Sequence, residues 1–379
     1  MPLSAIWSAK LTSNPSRSGR RAISSAQSDH MKTNHCWGSP FSEQDIQLAR
    51  TTGKLLTMEL ELSHLCNLRC IYCYAESGLP LDNELSYEEI IEVIDQAKCL
   101  GARRIIVLGG GEPMAYPRIM DVLRAINGRG LEIELFTNGT LLSPDVAREF
   151  YRLGVHPVIK CNSLIPNIQD MLAGTDGAFA AISHGLELLL QAGYPEGLTL
   201  GAQTVVCQQN LDELPTMWRW LRQQGIIPYF ETITAQGRAV AHPDLAVTPQ
   251  NLRLLFDELA RIDSEEFGVY WEAKPPVAAF TCRRHFFSCT VTAIGDVIPC
   301  PGVNLVTGNI RQDALGDILT QSPVFKELRN IRENIKGACR TCDLSNECYG
   351  CRGMAYQSCG DYLAADPLCW RCPSTGAFS

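Results

Sequence analysis

Six strand-like stretches, each followed by a helix-like one, run from Thr57 to about Asp263 and set the outer limit on the fold. The strand candidates are residues 57–64, 103–111, 131–139, 156–163, 198–206 and 226–234. Between them lie helix-like stretches, including 86–101, 116–128, 143–154, 177–193 and 210–225. Each of these five closes on a glycine, as helix C-termini commonly do. A chain that returns to a parallel strand through a helix builds a parallel sheet with helices outside it. Eight such units would close a TIM-type barrel, so six predict an α/β fold with an open sheet or partial (β/α)6 barrel.

The first strand also says which face is which. Met58, Leu60 and Leu62 alternate with Glu59, Glu61 and Ser63, and alternate side chains point to opposite faces of a sheet. The apolar set should meet the helices and leave two carboxylates on the other side. The third strand repeats the pattern with Glu132 and Glu134. A filled barrel interior is mostly branched and apolar, so inward carboxylates suggest a lumen holding a polar ligand. A solvent-exposed sheet edge would give the same alternation.

Cysteine is the compositional outlier. Of the 17, three fall between Cys66 and Cys73 and ten between Cys282 and Cys372. Disulfide frameworks belong mainly to small secreted chains. This chain has 379 residues and no apolar signal-peptide core near its start. Close-set cysteines here point to metal in a cytoplasmic protein. A net charge of −8 gives no basic stripe for nucleic acid, and no apolar run reaches the roughly 18 residues of a membrane span. The first 28 residues are basic and serine-rich without Asp or Glu. They read as a transit-like segment, or as a disordered tail ahead of a start at Met31. The expected organisation is an N-terminal extension over 1–50, largely disordered before about 35, a barrel over 51–263, and a cysteine-rich region over 264–379.

The run CNLRCIYC sets Cys66, Cys70 and Cys73 immediately after the first strand. Three thiolates can hold three irons of a four-iron cluster and leave the fourth open, the arrangement of a catalytic metal site. Sites in βα sheets gather at strand C-terminal ends. A zinc site would want a fourth ligand or separated pairs.

This spacing, with Tyr72 before the last cysteine, resembles the signature of the radical S-adenosylmethionine (SAM) superfamily. The resemblance implies that the open iron chelates the cofactor's amino and carboxylate groups. Reduction then yields a 5′-deoxyadenosyl radical that abstracts hydrogen from substrate. A second match is GGGEP after the second strand, which implies contacts from Gly110, Gly111 and Glu112 to the methionine amine. The TNG and NS endings of the third and fourth strands imply cofactor contacts from Asn138 and Ser163, though both could be turn or cap residues. Tyr72 joins the same cofactor-binding set.

The C-terminal cysteines resemble a SPASM domain, a small cysteine-rich α+β extension carrying two auxiliary [4Fe-4S] clusters. By order, that resemblance gives Cys282, Cys289, Cys300 and Cys351 to the first cluster. It gives Cys339, Cys342, Cys348 and Cys369 to the second. Cys359 and Cys372 are also available to complete either set, and the CRTC and CYGC pairs would by themselves suit a zinc ribbon. Cys36, Cys99, Cys161 and Cys207 fall outside the scheme, and buried free cysteine behaves as a small apolar residue. His64 is expected to pack or to orient a neighbour.

The resemblance therefore implies an enzyme of radical hydrogen abstraction, most like peptide or protein maturases. A small-molecule dehydrogenase or epimerase acting on a sugar or aminocyclitol is the alternative, because few residues precede the barrel after Met31. An electron carrier would not need GGGEP. The implied partners are the substrate and a reductase, flavodoxin or ferredoxin-type electron donor, with neither nucleic acid nor membrane.

Overall fold

The computed structural model describes residues 41–274 and 282–371. The basic N-terminal stretch, Cys36 and Cys372 lie outside the described residues. The first helix among the described residues is α1 (Glu43–Thr52), which falls inside the region expected as an N-terminal extension. Its cap is local chemistry: the Ser42 hydroxyl accepts from the Asp45 backbone N–H at 3.1 Å, and Asp45 and Glu43 sit favourably at the positive helix end.

Six parallel strands follow as the alternation predicts. They are β1 (Thr57–Glu61), β2 (Arg104–Leu108), β3 (Glu132–Thr137), β4 (Val155–Lys160), β5 (Gly201–Val206) and β6 (Ile227–Thr232). Each pairs in parallel with the next. The intervening helices are α2 (Tyr87–Cys99), α3 (Ile119–Gly128), α4 (Pro144–Arg152), α5 (Pro166–Ala173), α6 (Ala178–Ala192) and α7 (Leu214–Gln223), with α8 (Pro249–Ile262) after β6. Helix starts follow capping rules. Ser86 and Glu89 form a capping box on α2, and Ser143 and Thr248 cap helices whose first residue is proline.

The sheet does not close between β6 and β1. Instead the free edge of β1 pairs in parallel with β7 (Thr290–Val291), followed by antiparallel β8 (Asp296–Ile298) and β9 (Gly308–Asn309). The result is one nine-stranded sheet in the order β6-β5-β4-β3-β2-β1-β7-β8-β9. A boundary near 264–281 thus marks a change of sequence pattern, while the hydrogen-bonded sheet runs across it. Beyond β9 come α9 (Leu315–Gln321), α10 (Pro323–Arg329), α11 (Ile331–Asn334) and α12 (Arg352–Cys359).

Met58 and Leu60 of β1 are wholly buried in one apolar cluster with Ile90, Val93, Ile94 and Ala97 of α2. Each such side chain contributes about 1.5–3 kcal/mol through burial. The opposite face of β1 is buried too. Glu59 and Glu61 are each 3% exposed, so the carboxylates face a lumen and not a solvent edge. Strand β3 obeys the pattern only in part. Glu134 is buried, whereas Glu132 lies exposed at the strand start. Arg104 joins the two, with Nη2 2.7 Å from Glu132 and Nη1 3.2 Å from Glu134.

Candidate active site

A cavity of about 750 Å³ occupies the lumen, reached by the C-terminal ends of the parallel strands. Cys66, Cys70 and Cys73 all line it. Their loop is fixed by backbone bonds from Cys66 N to Gly78 O (3.2 Å), Arg69 N to Ala173 O (3.1 Å) and Ile71 N to Leu172 O (3.1 Å). Arg238, after β6, clamps it further. Its Nε donates to Cys70 O (2.8 Å), its Nη1 to Ser77 O (3.0 Å), and its backbone N–H to Cys73 O (3.0 Å). Its Nη2 is buried with no partner in the protein.

Burial pushes the Cys70 thiol up to about 11, opposed by a hydrogen bond from Tyr72. A thiol so disfavoured as an anion needs a cation to ionise, and bound iron supplies one. Burial raises the Cys66 thiol as well, and the three thiols of the loop, flanked by an unpartnered guanidinium N–H, are a donor set that fits an iron–sulfur cluster. Tyr72 is half-buried beside them, accepts from Asn162 Nδ2 at 2.6 Å and faces Lys160 Nζ, 5.1 Å from its ring centre.

Gly110, Gly111 and Glu112 line the cavity beside this loop. The glycines serve a close approach of backbone to backbone. A Cβ on Gly111 would stand 2.1 Å from Leu65 O, and Gly110 has φ +49°. Gly111 N and Glu112 N donate to Ser63 O and Leu65 O, both at 2.8 Å. The turn therefore packs on the entry to the cysteine loop.

Glu112 is 4% exposed, and its carboxylate accepts from Thr137 Oγ1 (2.6 Å), Asn138 N (2.7 Å) and Met114 N (3.0 Å). Burial raises its pKa while these donors lower it. Glu112 thus ties the end of β2 to the end of β3. Asn138 also lines the cavity, with Nδ2 donating to Asn67 Oδ1 at 3.0 Å. Ser163, expected at the cofactor, does not line the cavity. It is fully buried, and its hydroxyl is drawn to Glu213 at the start of α7 and to Ile165 O.

The C-terminal cysteines form two groups. Cys282, Cys300 and Cys351 line the same cavity as the first triad. Around them the Arg352 Nε and Nη2 and the His285 Nδ1 are buried without a protein partner, and the Tyr349 hydroxyl faces the Cys282 thiol. The buried Arg352 N–H groups are donors that suit the sulfides of a cluster. Cys339, Cys342, Cys348 and Cys369 line a second, small recess with Asp366 and Arg371.

Cys289 joins neither group and lies in the apolar core. Cys359, also considered as a completing ligand, is exposed on α12 with its thiol directed to Ala355 O. Cys161 and Cys207 are buried in apolar clusters away from the cavity lining. Among the described residues, no three Cys, His, Asp or Glu side chains converge as ligands of a single ion. Thiolates of a four-iron cluster bind separate irons and stand farther apart.

Several lining residues carry no sequence motif. Lys160 donates to Gln203 Oε1 at 3.1 Å, and Gln203 bonds Glu231. Burial lowers the Lys160 pKa and raises that of Glu231, and the two attract each other. Arg284 pairs with Glu59. Gln236 Nε2 reaches Pro301 O at 3.1 Å, linking the loop after β6 to the residue after Cys300. Only strand-end position could have flagged Lys160 and Glu231. Arg284 and Gln236 had no sequence signal at all.

A profile of the radical SAM superfamily matches residues 60–221, and one of the SPASM iron–sulfur cluster-binding domain matches 282–343. The chain is 28% identical over 351 residues to the AdoMet-dependent heme synthase of Methanosarcina barkeri, covering 82% of this chain and 94% of that protein. It is 29% identical over 338 residues to the PqqA peptide cyclase of Methylobacterium nodulans, covering 82% and 84%. In fold it resembles Streptococcus suis SuiB bound to S-adenosylmethionine, with a TM-score of 0.66, 17% identity, and coverage of 91% and 86%. Among the described residues no helix is long and apolar enough to cross a membrane. The profiles, the parallel sheet and the cysteine-lined cavity make this chain a radical SAM enzyme with a C-terminal SPASM domain, dependent on S-adenosylmethionine and iron–sulfur clusters.

Proposed function

We propose that Cys66, Cys70 and Cys73 hold the cluster that meets S-adenosylmethionine, and that both C-terminal cysteine groups hold auxiliary clusters. In that reading Cys282, Cys300 and Cys351 serve one, and Cys339, Cys342, Cys348 and Cys369 the other. The carrying observation is a single cavity lined by the first triad and by three C-terminal cysteines. Bound there, the cofactors would supply reductive cleavage of S-adenosylmethionine, hydrogen abstraction from substrate, and an acceptor for the substrate electron.

The chain's own residues orient and enclose the reactants. Glu112 holds the Thr137–Asn138 turn against the cysteine loop, and Gly110 and Gly111 bring the backbone close enough to form one wall. Tyr72 covers Cys70. Lys160, Glu231, Arg284 and Glu59 present paired charges to the polar groups of a substrate while the apolar shell keeps bulk water out.

We take the substrate to be a peptide modified oxidatively, with a flavodoxin- or ferredoxin-type donor as the source of electrons. Similarity to a peptide cyclase over most of both chains supports this. A small-molecule substrate is the second reading, favoured by the heme synthase match across 94% of that protein.

The test is formation of 5′-deoxyadenosine by reconstituted enzyme given a heat-cleared extract of its native cells. Stimulation abolished by prior protease digestion of the extract is the expected result. Stimulation that survives digestion and travels with small molecules overturns the peptide reading. Loss of 5′-deoxyadenosine in Cys70→Ala is expected in either case.

A further inference from the structure

Cys289 is set apart from the cysteines that flank it in the chain. Glu59 and Thr290 are register partners across β1 and β7, and the Thr290 hydroxyl donates to Glu59 Oε2 at 2.6 Å. Glu59 lines the cavity, so Thr290 faces the same side. Side chains alternate along a strand, which turns Cys289 to the opposite face. There it is fully buried in the apolar core, under the influence of Arg329 on α10. Cys282, Cys300 and Cys351 instead line the cavity and act on one another electrostatically. Four of the remaining C-terminal cysteines belong to the second recess, and Cys359 is exposed on α12. Among the described residues no fourth thiol joins the three.

We propose that the Cys282, Cys300 and Cys351 group holds its cluster by three thiolates, leaving one iron open to the cavity for an anionic ligand of the carboxylate class. This rests on the auxiliary-cluster reading given under Proposed function. Bringing Cys289 to the group would require a one-residue slip of β7 against β1, which would turn every side chain of that strand over. The Thr290–Glu59 bond and the burial of Val291 would both be lost.

The preference for an anion comes from Arg284. Its guanidinium lies 2.7 Å from Glu59 and is attracted electrostatically by Cys282 and Cys300. A guanidinium presents a planar fork of donors matched to a carboxylate. The ligand displaces solvent from the iron, and no redox change or further reactant is needed. A substrate carboxylate held there would lie within the cavity that also contains the first triad, which would fix the substrate's register against the SAM site.

The test uses the full chain with Cys66, Cys70 and Cys73 all changed to Ala, so that only auxiliary clusters remain. Reconstituted protein should bind about eight irons. Oxidation with ferricyanide should give one three-iron cluster signal per chain by electron paramagnetic resonance, because the iron without a thiolate is the one lost. The reduced protein should show hyperfine coupling to 13C-cyanide, the anionic probe. Adding Arg284→Gln should weaken cyanide binding about tenfold.

Cys289→Ala, Cys289→Ser and Cys372→Ala in this background should leave iron content and both signals unchanged. About eight irons with neither signal would overturn the open position. So would loss of about four irons in a Cys289 or Cys372 variant whose near-ultraviolet circular dichroism is intact. Should a Cys289 variant misfold, the two signals with Cys289 in place still decide the matter. Absence of bound iron from the triad variant would overturn the auxiliary-cluster reading itself, and this inference with it.

Discussion

Arg284 Nη1 lies 2.7 Å from Glu59 Oε1, joining the segment after Cys282 to the first strand of the barrel. The pair sits where β7 extends the sheet beyond β1, with Thr290 bonded to the other Glu59 oxygen. It places a compensated charge pair beside Cys282 and Cys300.

A cation beside a cluster favours its reduced, more negative form. Arg284→Gln should therefore lower the potential of one auxiliary cluster, and Glu59→Gln, which leaves the cation uncompensated, should raise it. The expected size is on the order of 50 mV in each direction, with the double variant close to the unsubstituted protein. A redox titration followed by electron paramagnetic resonance measures this. Shifts of the same sign in both single variants would contradict it.

Glu112 collects three donors within the protein, two from the end of β3. Glu112→Ala strands these buried donors and should cost about 3 kcal/mol or more of stability. Glu112→Gln keeps the shape but loses the charge, and should retain most of the fold while weakening S-adenosylmethionine binding. Chemical denaturation and equilibrium dialysis on the same samples separate the two effects.

Asp263 ends α8 wholly buried and accepts from Trp218 Nε1 (2.8 Å), Trp271 Nε1 (2.9 Å), and Arg222 through Nε (2.9 Å) and Nη2 (2.5 Å). Asp263→Ala leaves a buried guanidinium unpaired and should destabilise the protein by about 3–5 kcal/mol. The residue is remote from the cavity lining. Iron content and 5′-deoxyadenosine formation should therefore survive at low temperature, and a loss of cofactor cleavage in the folded variant would contradict this.

Burial pushes the Glu61 carboxyl up to about 7, against a 2.8 Å hydrogen bond from the Tyr74 hydroxyl. The folded-state value lies above the ordinary carboxyl value of about 4.3. Between the two, the folded protein holds a proton that the unfolded chain has released, so stability falls as pH rises through that window. Glu61→Gln removes the titration. It should leave stability nearly unchanged at about pH 5 and raise it by on the order of 2 kcal/mol at about pH 8. Urea denaturation across this range measures the difference, and parallel pH profiles for the two proteins would contradict the assignment.

The sequence by itself determined the parallel sheet and the first cysteine triad. Both are written in local pattern: alternation on β1, glycine-terminated helices, and three cysteines spaced within one loop. Capping residues fixed several helix starts, and Ser42 with Asp45 would have revealed α1 as well. The family resemblance grouped Cys339, Cys342, Cys348 and Cys369, and these four line one recess.

Only the tertiary structure decided what depends on contacts between distant segments. Strand order alone could not show that β7 pairs with β1, because two residues of strand carry no period to read. That pairing turns Cys289 into the core and Thr290 toward Glu59. Ser163 has a residue type that suits a cofactor site, yet Glu213, fifty positions on, draws its hydroxyl away. Lys160, Glu231 and Arg284 became lining residues through the register and curvature of the sheet. Side-chain direction in a lumen is set by which strands neighbour one another, and that is a property of the assembled fold.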